Sequence, residues 1–133
     1  MTDFAGVLAK AVVAALSADA GAKALLGDPV RVFDAPPKGA LAPYVVIGRG
    51  VEMPLKGDGG GCEVSLSLTG VSRFAGQEEA RAVVAVVREV LDGLAVSDGG
   101  VTGCVRVRGA EVFSCSDGRG AYGALRLRAV MEG

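Results

Sequence analysis

The run CEVSLSLT, residues 62–69, constrains the fold more than any other stretch of the chain. Cys62, Val64, Leu66 and Leu68 alternate with Glu63, Ser65, Ser67 and Thr69. Successive side chains of a strand point to opposite faces, so a period of two predicts a strand with one face buried and the other wet. Such a strand needs neighbours in a sheet and an apolar cover over its buried face. Residues 76–94, GQEEARAVVAVVREVLDGL, supply the cover. Ala80, Val83, Val84, Val87, Leu91 and Leu94 fall on one side of a helix, with Glu78, Arg81, Arg88 and Asp92 turned away from it. Val86 and Val90 widen the apolar sector and predict a second contact surface. At the N-terminus Asp3 is a helix N-cap, and Phe4, Leu8, Ala11, Val12 and Ala15 recur at helical spacing. A short helical turn through Leu25 and Leu26 ends at Gly27.

Further strands complete the sheet. PVRVF (29–33) reads as a short strand, and DAPPKGALAP (34–43) as a loop whose prolines continue neither helix nor sheet. YVVIG (44–48) is apolar on both sides and predicts a central strand. The apolar phase switches at Gly70, because Val71 is apolar too, and this predicts a bulge. Beyond the turn Asp98-Gly99-Gly100 come VTGCVRVRG, AEVFSCS and YGALRLRAV, read as three strands. Asp117-Gly118-Arg119-Gly120 joins the last two as a hairpin. The order helix–strands–helix–strands predicts an α+β domain, a mostly antiparallel sheet with two main helices packed on one face. A chain of 133 residues is read as a single domain.

Composition narrows the function classes. Half the residues are apolar and the mean hydropathy is +0.43. Yet the apolar signal comes from Ala and Val scattered among charges, with no run near the ~18–20 residues of a membrane span. The N-terminus carries no signal-peptide pattern, so synthesis in the cytosol without membrane association is expected. With 14 basic and 15 acidic residues there is no overall bias toward nucleic acid. Histidine is absent and the three cysteines, Cys62, Cys104 and Cys115, are far apart, which argues against Cys/His zinc. They read as buried free thiols. No metal or cofactor is expected.

Two glycine patterns mimic nucleotide sites and fail on chemistry. GDGGGC (57–62) lacks the Lys and Ser/Thr of a phosphate loop, leads into a strand rather than a helix, and contains one acid, Asp58, with another, Glu63, directly after it. GRGAYG (118–123) matches G-x-G-x-x-G by letter, but a strand follows it. Glu78 and Glu79 suit the positive end of a helix dipole better than a catalytic pair. Cys62 has no base adjacent in sequence. Arg106, Arg108, Arg126 and Arg128 alternate along two strands and can form a basic stripe on one sheet face. That stripe is either a solvated face balanced by acids such as Glu111, or a contact surface for an acidic protein ring or for DNA passing nearby.

Taken in order, the pieces have a relative. A helix leads to RVF, APYVVIG and GGGCEVSLSLTGVSRFAGQEEARAVVAVVREVLDG, and the chain closes with DGRGAYGALRLRAV. By order and spacing over nearly the whole chain, this resembles the small tail-completion or tail-terminator proteins of long-tailed bacteriophages, prophages and phage-derived gene transfer agents. The resemblance implies a structural, non-enzymatic virion protein. It implies a six-membered ring on the head-proximal end of the tail tube that stops tube polymerisation and meets the head-completion or stopper protein. DNA would pass through the ring without sequence-specific binding. Synthesis in the bacterial cytoplasm and incorporation at the tail neck follow. In that setting Glu52, Met53, Lys56, Asp58, Gly59, Gly60 and Gly61 form a finger at an assembly interface. Ordering such glycines alone costs about 1–2 kcal/mol per residue, so a neighbouring subunit or tail ring would have to hold them. Competing readings are a head–tail adaptor, stopper or minor tail component, a small-molecule-binding regulatory α+β domain, and a thiol enzyme centred on Cys62.

Overall fold

A computed structural model describes residues 3–57 and 60–133. Helix α1 (Phe4–Ala18) starts where the Asp3 carboxylate accepts the Gly6 N–H at 2.9 Å. It buries Leu8, Val12 and Leu16, one side chain per turn. Asp19 then has two roles. Its extended backbone ends α1, and its carboxylate accepts the Ala22 N–H at 2.9 Å to begin α2 (Ala20–Leu26), whose axis is turned 90° from α1. Gly27, at φ 92°, closes α2 in a conformation that favours glycine.

Six strands follow: β1 (Val32–Phe33), β2 (Tyr44–Pro54), β3 (Cys62–Ser72), β4 (Ala95–Asp98), β5 (Val101–Ser114) and β6 (Ala121–Glu132), with α3 (Glu78–Leu91) between β3 and β4. They form one sheet in the order β1-β2-β3-β6-β5-β4. Only the two-residue β1 runs parallel to its neighbour; every other pairing is antiparallel. The fold is α+β. All three helices lie on one face, where Val64, Leu66 and Leu68 of β3 meet Leu125, Leu127 and Ala129 of β6 and the apolar sides of α1 and α3. The opposite face carries no helix among the described residues. No single helix among the described residues is long and apolar enough to cross a membrane.

α3 sits on a notch rather than on side chains. Gly70 and Gly123 are register partners on β3 and β6. A Cβ on Gly70 would lie 2.7 Å from Val83 Cγ1, and one on Gly123 would collide with Val84 Cγ2. The glycines therefore let α3 approach the sheet backbone. At its start, the buried Ser72 hydroxyl donates to Glu79 Oε1 at 2.9 Å, and Ser72 Oγ accepts the Phe74 N–H at 3.2 Å. Both Glu78 and Glu79 stand in the first turn of α3, as the dipole argument anticipates. Val86 and Val90 are half-buried against the core, and α3 touches both α1 and α2, which supplies the second contact surface.

The structure corrects four expectations. No bulge occurs at Gly70, because β3 pairs continuously with β6 from Cys62 to Ser72. The apparent phase switch is a strand end buried on both faces, with Gly70 under α3 and Val71 and Ser72 also covered. Bulges lie instead between Ile47 and Gly50 on β2 and between Val107 and Gly109 on β5. The second bulge lets VTGCVRVRG and AEVFSCS run on as the single strand β5, and it shifts the phase that made them look separate. YVVIG is next to the sheet edge, not central; Tyr44 is covered by Phe33 with ring centroids 5.8 Å apart, which explains its double burial. Of the three thiols only Cys62 is buried, Cys104 being exposed and Cys115 intermediate.

Candidate assembly surface

The β2–β3 hairpin carries the first group of candidate residues. Glu52 and Met53 are not loop residues but strand residues, opposite Val64 and Glu63, and the pairing continues to Pro54 and Cys62. The Leu55 N–H then donates to the Gly61 carbonyl at 3.0 Å and closes the stem. Lys56 and Gly60 are exposed at the tip, while Asp58 and Gly59 lie outside the described residues. The glycines differ in purpose. Gly57 and Gly60 have φ of 131° and 65° with open space around them, so the turn itself requires them. A Cβ on Gly61 would meet Leu55 Cδ1 at 3.1 Å and the Met131 carbonyl at 3.3 Å, so here packing matters. Met53 is 62 % exposed. Glu52 Oε1 accepts the Phe4 N–H at 3.1 Å, placing a carboxylate on the N-terminus of α1, where unpaired N–H groups and the helix dipole favour it.

The second group lies on the helix-free face. Arg106 stands opposite Arg128 in register, and Arg126 opposite Gly109. Arg108 occupies the β5 bulge, and Arg108, Arg126 and Arg128 border a shallow depression of ≈ 530 Å³ together with Arg49. The structure thus brings Arg108, Arg126 and Arg128 to one patch, with Arg106 beside Arg128. Sequence reasoning missed Arg49, since only the β2 bulge next to Gly50 makes it a neighbour of arginines far away in the chain. The signal was present in Gly48-Arg49-Gly50, where two glycines break an apolar strand around one cation.

Acids balance only part of this charge. Glu63 grips Arg128 with two bonds, Nε to Oε1 at 2.6 Å and Nη2 to Oε2 at 3.1 Å. The fork geometry makes this the strongest ion pair of the face. Arg106 Nε lies 3.8 Å from Asp92 Oδ1, a longer and largely exposed contact worth little. Glu111, the acid expected to balance the stripe, forms no ion pair among the described residues. Ser65, Ser67 and the remaining guanidinium groups leave the depression rich in donors.

Glu63 has its carboxyl pKa lowered, first by the hydrogen bond from Arg128, which outweighs the opposing effect of burial, and further by the charges of Arg128 and Arg108. The folded state therefore binds fewer protons at this site than the unfolded chain. The stabilisation is present above the ordinary glutamate value of about 4.3 and is lost as pH falls through the lowered one. Urea midpoints measured as a function of pH should fall on the acid side in the parent and fall less steeply in Glu63→Gln. Identical acid limbs would remove this role.

Cys62 is buried and its thiol pKa is raised, mainly by burial and next by the Glu52 charge. That is the reverse of an activated thiol.

Comparison with known proteins agrees with this geometry. The family model of "Tail completion protein gp17" matches residues 10–132. No curated protein sequence is significantly similar to the chain. Among solved structures, a chain of the virion of a native gene transfer agent particle superposes with a TM-score of 0.87 at 28 % identity, covering 100 % of both chains. With the match running from α1 to β6, the chain belongs to the tail completion protein gp17 family.

Proposed function

We propose that the protein is a structural, non-enzymatic component of a phage-like particle that forms a closed ring at the head-proximal end of the tail tube. The ring, of six copies, ends tube polymerisation and offers its outer surface to the head-side completion protein, with DNA passing through without sequence-specific contact. The chain is made in the bacterial cytoplasm and ends in the tail neck. The observation that carries this reading is the full-length likeness to a chain of a gene transfer agent virion. Closed heterologous contacts are what a ring of identical subunits requires. In this role the hairpin stem at Glu52 and Met53 presents Lys56, Gly60 and Gly61 toward a neighbouring subunit or the tube, and Asp58 and Gly59, which lie outside the described residues, belong to the same assembly element.

Negative-stain electron microscopy of particles assembled without the chain tests the proposal. Free heads with headless tails of uncontrolled length are expected. Headless tails of normal length would mean a head-side adaptor or stopper instead, and intact joined particles would end the structural reading. Within the intact protein, deletion of residues 57–60 should leave the isolated chain folded and abolish its incorporation onto tails, measured by quantitative blotting of purified tails. Normal incorporation would exclude the tip as an assembly element.

A further inference from the structure

The sheet has two open strand edges, one on each side. On one side β1 covers β2 only at Val45 and Val46, extended by the Val45 N–H donating to the Arg31 carbonyl at 2.9 Å. On the other side β4 covers β5 only from Val101 to Cys104. Leu94 and Gly93 extend that cover to Val105, and Asp92 Oδ1 ends it by accepting the Val107 N–H at 3.0 Å. Beyond these points, the backbone of residues 48–54 and of residues 109–114 bonds only within the β2–β3 and β5–β6 ladders, among the described residues. An uncovered edge is a template for another strand, and proteins that must stay apart protect it. Here the edges instead carry exposed apolar side chains: Val51 at 38 % and Met53 at 62 % on one, Phe113 at 45 % on the other.

Resting on the ring reading above, we propose that the subunits join by strand addition, the open edge of β2 in one copy pairing with the open edge of β5 in the next. Three features single out a second copy as the occupant. The polarity fits: β2, β3, β6 and β5 alternate in direction, so β5 of one copy meets β2 of the next antiparallel and the alternation continues around the ring. The placement fits closure. The open part of β2 is level with residues 127–131 of β6, whereas that of β5 is level with residues 121–126. Successive copies must therefore step along the strand direction, which is the stagger that tilted strands acquire in a closed barrel. The charges fit as well. Arg49 and Glu111, one on each edge, form no ion pair within the chain among the described residues; overlapping the two open stretches antiparallel sets Glu111 opposite Val51 and Arg49 opposite Phe113, so the two charges become diagonal neighbours across the joint, within reach of long side chains. The joint is heterologous, since each copy uses two different edges, and main-chain hydrogen bonds supply its contacts.

The test uses purified tails carrying Arg49→Cys with Glu111→Cys, in a Cys104→Ser, Cys115→Ser background, treated with a short bis-maleimide. A denaturing gel should show a ladder of covalent multimers ending at the full ring, while either single-cysteine chain stays monomeric. Dimers from a single-cysteine chain would mean symmetric edge contacts and overturn the proposal. Rings visible on the tails without a ladder would overturn the edge joint and leave the ring standing; tails of the parent protein without rings would overturn both. Should the cysteine variant fail to assemble, a charge exchange decides. Arg49→Glu should lose joined particles and Arg49→Glu with Glu111→Arg should recover them, thermal melting confirming that each chain folds. Failure of the exchange to recover assembly would overturn the joint.

Discussion

Gly123→Ala should lower the thermal midpoint by roughly 5–12 °C, although it adds a single methyl group and replaces the residue least suited to a strand. The added Cβ would collide with Val84 Cγ2 and come to 3.2 Å from the Ala80 carbonyl. Val84 is β-branched on a helix, so its rotamer cannot step aside, and the carbonyl belongs to the α3 backbone. The helix has to lift, opening its contacts along β6 and β5. Overpacking of this kind costs about 1–3 kcal/mol, more than the few tenths to 1 kcal/mol that removing a strand glycine returns. Two companion variants isolate the cause. Val84→Ala in the Gly123→Ala background should recover part of the loss, because the new methyl then fills space that the old ones vacate. Gly109→Ala should sit close to the parent, since its Cβ would meet nothing nearer than Arg126 Nη2 at 3.8 Å. Equal melting of the Gly123→Ala and Gly109→Ala chains would show that α3 is not seated in the notch.

Leu68→Ala should be the most damaging truncation, about 2–5 kcal/mol, read as a lower urea midpoint at unchanged slope. Leu68 is fully buried at the middle of β3, with Ile47 across one ladder and Leu125 across the other. The sheet backbone lies on one side and the helices on the other, so little can move in to fill the void, which places the effect toward the upper end. Ser65→Ala, on the same strand but facing solvent, should change stability by no more than about 0.5 kcal/mol. A small effect at Leu68 would mean that the core collapses around it.

The parts of the fold legible in the sequence are those governed by a local period. Residues 62–69 alternate, so β3 and its buried face could be read directly, and α3 followed from the spacing of Val83, Val84, Val87 and Leu91. The cap at Asp3 was legible because a cap is a local hydrogen bond. What escaped was set by partners distant in sequence. Gly70 looked like a bulge because the residue that explains it, Val83, belongs to the helix packed above. The four-residue β4 was missed, being too short to show a period before the Asp98-Gly99-Gly100 turn. Half of the candidate surface could be anticipated, because arginines at alternate positions of neighbouring strands must share a face. Arg49 was missed, because its place depends on the register of β2 after a bulge, of which the two flanking glycines are the one local sign. Glu63 as the partner of Arg128 was equally hidden, the two lying 65 residues apart.

The hydrogen bond from the Phe4 N–H to Glu52 Oε1 spans 48 residues and fastens the beginning of α1 to the stem of the hairpin. A helix end is the part that frays first, and here the clasp holding it belongs to the segment that reaches outward. Tension or rigidity imposed on the hairpin is thereby transmitted directly to the first turn of α1. Slower amide exchange at Phe4 would report engagement of the hairpin.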